Sequence, residues 1–115
     1  MGTAADLLKE TREYWPKLRE ELPDVTATTA NLYDKTYQEG ALSRQVKELI
    51  ALAIAINLRC EACIVHHINS ALKAQATKEQ VMETLAVTIQ MSGGPAIAQS
   101  PKVLQILEEL SGEHQ

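Results

Sequence analysis

The chain has 115 residues, a single-domain length; 45% are apolar, with no Phe, one Trp and three Tyr, so any core is built from Ala, Leu, Ile and Val. A small aliphatic core is marginal by surface-to-volume scaling, which favours self-association. The formal net charge of −4, with no cluster of Lys and Arg, excludes nucleic acid and anionic membrane surfaces as partners on electrostatic grounds. No basic stretch followed by an apolar run opens the chain. The longest apolar run, Leu49 to Ile56, is far short of the about 20 residues that span a bilayer. A cytoplasmic protein with no membrane partner is expected.

In chain order, Leu7, Leu8, Thr11, Tyr14, Trp15, Leu18 and Leu22 recur at three- and four-residue steps, one face of a first helix that Pro16 should kink or split. Pro23-Asp24 reads as a turn. A second helix runs from about Val25 to Glu39, with Leu32, Tyr33 and Tyr37 inward and Gly40 as its C-cap. Ser43 caps a third, to about Asn57, whose Leu49–Ile56 stretch is apolar all round and so sandwiched on more than one side. Asn57-Leu58-Arg59 breaks the pattern before a fourth helix from about Cys60 to Gln75. Thr77 and Gln80 form a capping box for a fifth, Lys78 to about Met91. Gly93-Gly94-Pro95 is punctuation. Ser100-Pro101 reads as N-cap and N1 of a last helix through Leu110, closed by Ser111-Gly112. No segment alternates as a strand, and no repeat or second domain is evident. The fold class is all-α: one compact bundle of about six helices over residues 1–115.

Two cysteines three residues apart in a chain without an export signal point to a catalytic pair or a metal site rather than a structural staple. With Cys60 at zero on a helix, Cys63 falls at about −60° and His67 at about −20°, one narrow arc, whereas His66 falls at about 240°. The spacing selects His67 as partner. Thiols at a helix N-terminus sit near unsatisfied N–H groups and the positive end of the macrodipole, which favours thiolate. Cys63 and His67 are one turn apart, and the cysteine spacing permits a disulfide. Zinc is the rival use, with Cys60, Cys63 and His67 as ligands and His66 or Glu48 as a fourth. It lacks the second knuckle that structural zinc ordinarily draws on, since the only other His is His114 in the tail. Glu48, twelve residues before Cys60, is either a solvated glutamate or a buried carboxylate that orients His67.

The run Glu48-Leu49-Ile50-Ala51-Leu52-Ala53, followed by Cys60-Glu61-Ala62-Cys63-Ile64-Val65-His66-His67 and Ala71, resembles the carboxymuconolactone decarboxylase family, in its alkylhydroperoxidase D-like branch. The resemblance spans about residues 42–94. It implies an all-α fold, homo-oligomers (trimers or hexamers), and thiol-dependent peroxidase or disulfide reductase activity. Glu48, Cys60, Cys63 and His67 would then form a proton relay around a redox pair. The decarboxylases themselves lack the cysteine pair, so that reaction is disfavoured. Two positions depart from the family's pattern: Ala62 stands where peroxidase members often have His, and Gln75 where a glycine is common.

The expected function is a thiol-dependent oxidoreductase that takes a hydroperoxide and is recharged by a dithiol or protein reductant, with no cofactor and no resident metal. In that scheme Cys63 attacks, Cys60 resolves, and Glu48 backs His67. The alternatives are a protein-disulfide reductase or adaptor feeding a separate peroxidase, and a non-enzymatic oligomeric redox sensor or small-molecule binding protein.

Overall fold

Helix caps and breaks partition the chain as its side chains dictate. The computed structural model describes residues 4–113, in the order α1 (Ala4–Glu21), α2 (Pro23–Thr36), α3 (Arg44–Leu58), α4 (Glu61–Lys73), α5 (Lys78–Ser92) and α6 (Gly94–Glu113), with no strand among the described residues. Ser43 caps α3 by accepting the Val46 N–H at 3.1 Å. Thr77 and Gln80 form both bonds of the capping box on α5, at 3.1 and 2.8 Å. Arg59 ends α3 in the left-handed region (φ 56°) and Gln75 follows α4 in the same region (φ 72°). The left-handed backbone is the physical reason a glycine suits position 75.

Several features differ from the sequence reading. Pro16 does not split α1, because the carbonyl it orphans lies on an exposed surface where water can satisfy it. Pro23 is not a turn residue but the start of α2, where a missing N–H costs nothing. That helix ends on Tyr37 rather than Gly40, and Leu32 points outward, 66% exposed. Ser100-Pro101 lies inside α6. The Ser100 hydroxyl donates back to the Ala96 carbonyl at 3.0 Å instead of capping, and the helix has already begun at Gly93, whose carbonyl accepts from both Ala96 and Ile97. Ser111-Gly112 likewise lies within α6, and His114 is outside the described residues.

The core sits where α3, α4, α5 and α6 meet. Leu52 and Ile56 of α3, Ile64, Val65 and Ile68 of α4, Val81 and Leu85 of α5, and Val103, Ile106, Leu107 and Leu110 of α6 are buried there. Each such aliphatic side chain contributes about 1.5–3 kcal/mol on burial. Gln45 of α3 locks the far end of α4 in place, donating to the Ala74 carbonyl and accepting from Gln80, each at 3.0 Å. The hairpin of α1 and α2 lies at the edge of this core, where Ala4 of α1 is buried and Leu7 and Leu8 pack against it, and α1 contacts α4 and α6. Helix α3 is sandwiched on one side only: Val46, Ile50, Ile54 and Leu58 form an exposed apolar stripe in the single chain.

Two substitutions beside α5 should shift stability in opposite directions. Thr77→Ala should cost about 1 kcal/mol through loss of the cap. Gln75→Gly should add up to about 1 kcal/mol by relieving the left-handed residue. Urea denaturation of both variants checks the signs.

Candidate redox site

At the head of α4, Cys60 occupies the N-cap, where Ser or Thr would ordinarily stand, and its Sγ accepts the Cys63 N–H at 3.3 Å. The two cysteines are joined as a disulfide, with Cα atoms 5.2 Å apart. The bridge therefore spans the first turn of the helix, close to the positive end of its macrodipole.

One turn on, His67 meets Glu48. The Glu48 side chain is completely buried on α3, and of the two sequence readings of this residue the structure takes the buried one. Its Oε1 lies 2.8 Å from His67 Nδ1, and its Oε2 accepts the Tyr33 hydroxyl at 2.9 Å and lies 3.7 Å from Arg44 Nε. Burial pushes the Glu48 carboxyl up, but hydrogen bonds from His67 and Tyr33 outweigh it and hold the group below the ordinary carboxylate range. An ionised carboxylate only accepts, so Nδ1 of His67 must carry the proton, and in the neutral ring Nε2 is left free as a base.

The same logic orders the next link. Tyr33 donates to Glu48, so His66 Nε2, 3.2 Å from the Tyr33 oxygen, donates its N–H to the phenol. A directed chain results: His66 to Tyr33 to Glu48, with His67 donating to the same carboxylate from the other side. The rings pack as they bond, Tyr33 against Tyr37 with centroids 4.5 Å apart and Tyr37 against His67 at 5.9 Å. Burial first, then the Glu48 charge, raises the Tyr37 hydroxyl above its usual value; burial and Glu48 likewise raise Tyr33. His66 is held below the usual imidazole range by desolvation of its ring, then by His67 and the cations Lys73 and Arg44, with Glu48 opposing.

The structure thus brings Glu48 and His67 into contact and seats Cys63, His66 and His67 on one cleft of about 230 Å³, walled also by Leu7, Leu8, Thr11, Ala62 and Val65. Ala62 leaves room where a histidine would fill it. His66 does not project away from the cysteines. Cys60 lies outside the helix, and measured from Cys63 instead, His66 is only about 60° away. No group of three or more His, Cys, Asp or Glu that could hold a metal ion occurs among the described residues. No helix among them is long and apolar enough to cross a membrane. Tyr33, Tyr37 and Arg44 were not among the expected site residues. The inward placement of the two tyrosines on α2 was the available signal, but nothing in the sequence pairs them with Glu48.

The structure is thus an all-helical domain with a disulfide across a helix head, beside a buried carboxylate–imidazole pair. The chain belongs to the carboxymuconolactone decarboxylase family, whose profile matches residues 23–106. It is 34% identical over 104 residues to an uncharacterised protein of Cupriavidus necator, covering 90% of this chain and 92% of that one. An uncharacterised protein of the cox locus of Paracoccus denitrificans is 40% identical over 76 residues, 66% of this chain and 68% of that one. Among solved structures, an apo carboxymuconolactone decarboxylase family protein of Legionella pneumophila superposes with a TM-score of 0.89 at 33% identity, covering 94% and 96% of the two chains. A family member from Thermotoga maritima, described as a possible participant in antioxidative response, superposes with a TM-score of 0.81 at 27% identity, covering 92% and 90%.

Two measurements test the network. Tyr33→Phe removes a hydrogen bond to a charged, buried acceptor and should cost about 1.5–3 kcal/mol in urea denaturation. The depressed carboxyl of Glu48 contributes stability that is present above the unfolded-state value of about 4.3 and is lost as pH falls through its lower folded value. The depressed imidazole of His66 works in the same direction from about pH 6.5 downward. Stability should therefore fall with acidity, less steeply in His66→Gln below neutrality and less steeply in Glu48→Gln below about pH 4.3.

Proposed function

We propose that this protein is a thiol-dependent oxidoreductase that reduces hydroperoxides through the Cys60–Cys63 pair. The observation that carries this reading is the placement of a disulfide-forming pair beside a cleft that Cys63 shares with His67, itself anchored to buried Glu48.

In the reduced state the free Nε2 of His67 takes the Cys63 thiol proton, and the Glu48 carboxylate stabilises the charge the ring gains. The Cys63 thiolate attacks the outer oxygen of the peroxide. The O–O bond breaks, an S–O bond forms, and the departing alkoxide takes a proton to leave as the alcohol, with Cys63 as sulfenic acid. The Cys60 thiol then attacks that sulfur, releasing water and closing the disulfide. An external dithiol, in a small molecule or a partner protein, reduces the bridge by exchange and is itself oxidised to a disulfide. Cys60, at the cap rather than inside the cleft, is the sulfur the reductant meets.

The same reading includes self-association as a trimer or hexamer. The exposed stripe Val46, Ile50, Ile54 and Leu58 on α3 is an apolar face that water disfavours and a second copy would cover. Light scattering at micromolar concentration should show a homo-oligomer, and a monomer would count against this part of the reading.

Steady-state peroxide consumption with several dithiol donors tests the activity, with Cys60→Ser/Cys63→Ser as the inactive control. Retention of disulfide reduction without peroxide turnover would identify an adaptor instead. His67→Ala should slow alkylation of Cys63 and displace its pH profile upward while the oligomer stays folded. Identical profiles in the two proteins would remove His67 from the mechanism.

A further inference from the structure

Beyond the thiol cleft, on the other side of His66, lies a second cavity of about 380 Å³ lined by Tyr33, Arg44, His66, Ser70, Lys73 and Ala74. Its chemistry is one-sided. Two permanent cations face it and no carboxylate lines it, in a chain whose net charge is −4. Arg44 reaches Glu48 through Nε at 3.7 Å and also bears on the Tyr33 hydroxyl, yet 48% of its side chain stays accessible, so part of the guanidinium faces the cavity. Lys73 makes no ion pair among the described residues. Both cations also bear on the adjacent His66 ring, as lesser influences after burial and His67, with Glu48 opposing. Tyr33 does not neutralise that potential, because its proton is already donated to Glu48.

The cavity is also in line with the reacting sulfur. Cys63, His66, Ser70 and Lys73 follow one another at steps of three, four and three residues, which is one ridge along α4. From Cys63 to Ser70 the rise is about 10 Å, and to Lys73 about 15 Å. His66 forms a wall common to the thiol cleft and the cationic cavity. The thiol cleft is otherwise largely apolar, with Leu7, Leu8, Ala62 and Val65. One elongated ligand would meet an apolar wall around the sulfur and two cations about 10–15 Å along the helix.

We propose that Arg44 and Lys73 form a carboxylate-binding subsite, and that the oxidising substrate is a hydroperoxide of a long-chain carboxylic acid. The acid group sits in the cationic cavity while the peroxide lies against Cys63. This rests on the redox reading of the site and adds the substrate's charged end to it. The chemical step is unchanged: the peroxide O–O bond breaks on the Cys63 sulfur, a hydroxy acid leaves, and the dithiol donor restores the pair. The carboxylate takes no part in the bond changes. Its role is to position the peroxide, and it gains from two charge-assisted contacts.

Binding and turnover separate the subsite from the redox reading. The first measurement is calorimetry of the Cys60→Ser/Cys63→Ser protein with octanoate and with the uncharged octanamide, which needs no activity. Octanoate should bind and octanamide should not. Raising the salt should weaken octanoate, and Lys73→Glu, at an exposed position that leaves the fold intact, should weaken it about tenfold or more. The second is kcat/KM of the intact protein for linoleic acid hydroperoxide against its methyl ester. The acid should be preferred, mainly through KM, and Lys73→Glu should bring the ratio toward one or below. Equal binding of octanoate and octanamide, or an acid-to-ester ratio untouched by Lys73→Glu, overturns the subsite even if both peroxides are turned over. Selective, Lys73-dependent octanoate binding without turnover of either peroxide supports the subsite and sinks the redox reading instead.

Discussion

The burial of the Glu48 carboxylate governs the arrangement around it. A carboxylate removed from water among aliphatic neighbours costs several kcal/mol unless its lone pairs are filled. Here two donors from two other helices fill them, Tyr33 from α2 and His67 from α4, while Arg44 in the first turn of α3 adds its charge at 3.7 Å. The requirement sets the rotation of α4 about its axis, because only the turn carrying His67 can present Nδ1 to Oε1. It also ties α2, whose packing is otherwise mainly on α1, to the face where chemistry is proposed. Removing either donor leaves a buried charge short of partners, so the network behaves as a unit.

With the rotation of α4 set, the position of the cysteines follows. Cys63 lies one turn before His67, and Cys60 closes the helix head as its cap. A capping sulfur is poised beside the N–H of its own partner, which places the disulfide over the first turn without a separate loop. Because Glu48 accepts the Nδ1 N–H, the second ring nitrogen of His67 is the one available for the proposed role as base. One buried anion thereby connects a packing constraint to a proton-transfer geometry, and through Tyr33 it extends that connection to His66 and the cationic cavity beyond.

The aliphatic core also accounts for the outer surface. Without Phe, the contacts of α3, α4, α5 and α6 are made by Leu, Ile, Val and Ala, and the single chain covers only one side of α3. The stripe left exposed at four-residue spacing is a consequence of sequence apolarity exceeding what one thin layer can bury.

Local chemistry made much of this legible in the sequence. Ser43, Thr77 and Gln80 act as caps through bonds spanning only a few residues, and Cys63 and His67 share one helix with Cys60 as its cap, so their spacing was enough to group them. Ser100-Pro101 misled because the same pair that can start a helix can also sit inside one whose start, at Gly93, is already satisfied by the backbone. The burial of Glu48 was one of two even readings, since nothing local separates a solvated glutamate at the edge of an apolar run from an inward one. Only the tertiary structure decided it, and with it the parts played by Tyr33, Arg44 and His66. Tyr33 lies 15 residues from Glu48 and 33 from His66 in the chain. Their meeting depends on how α2 and α4 settle against α3, a matter of packing between helices that periodicity within one helix does not encode.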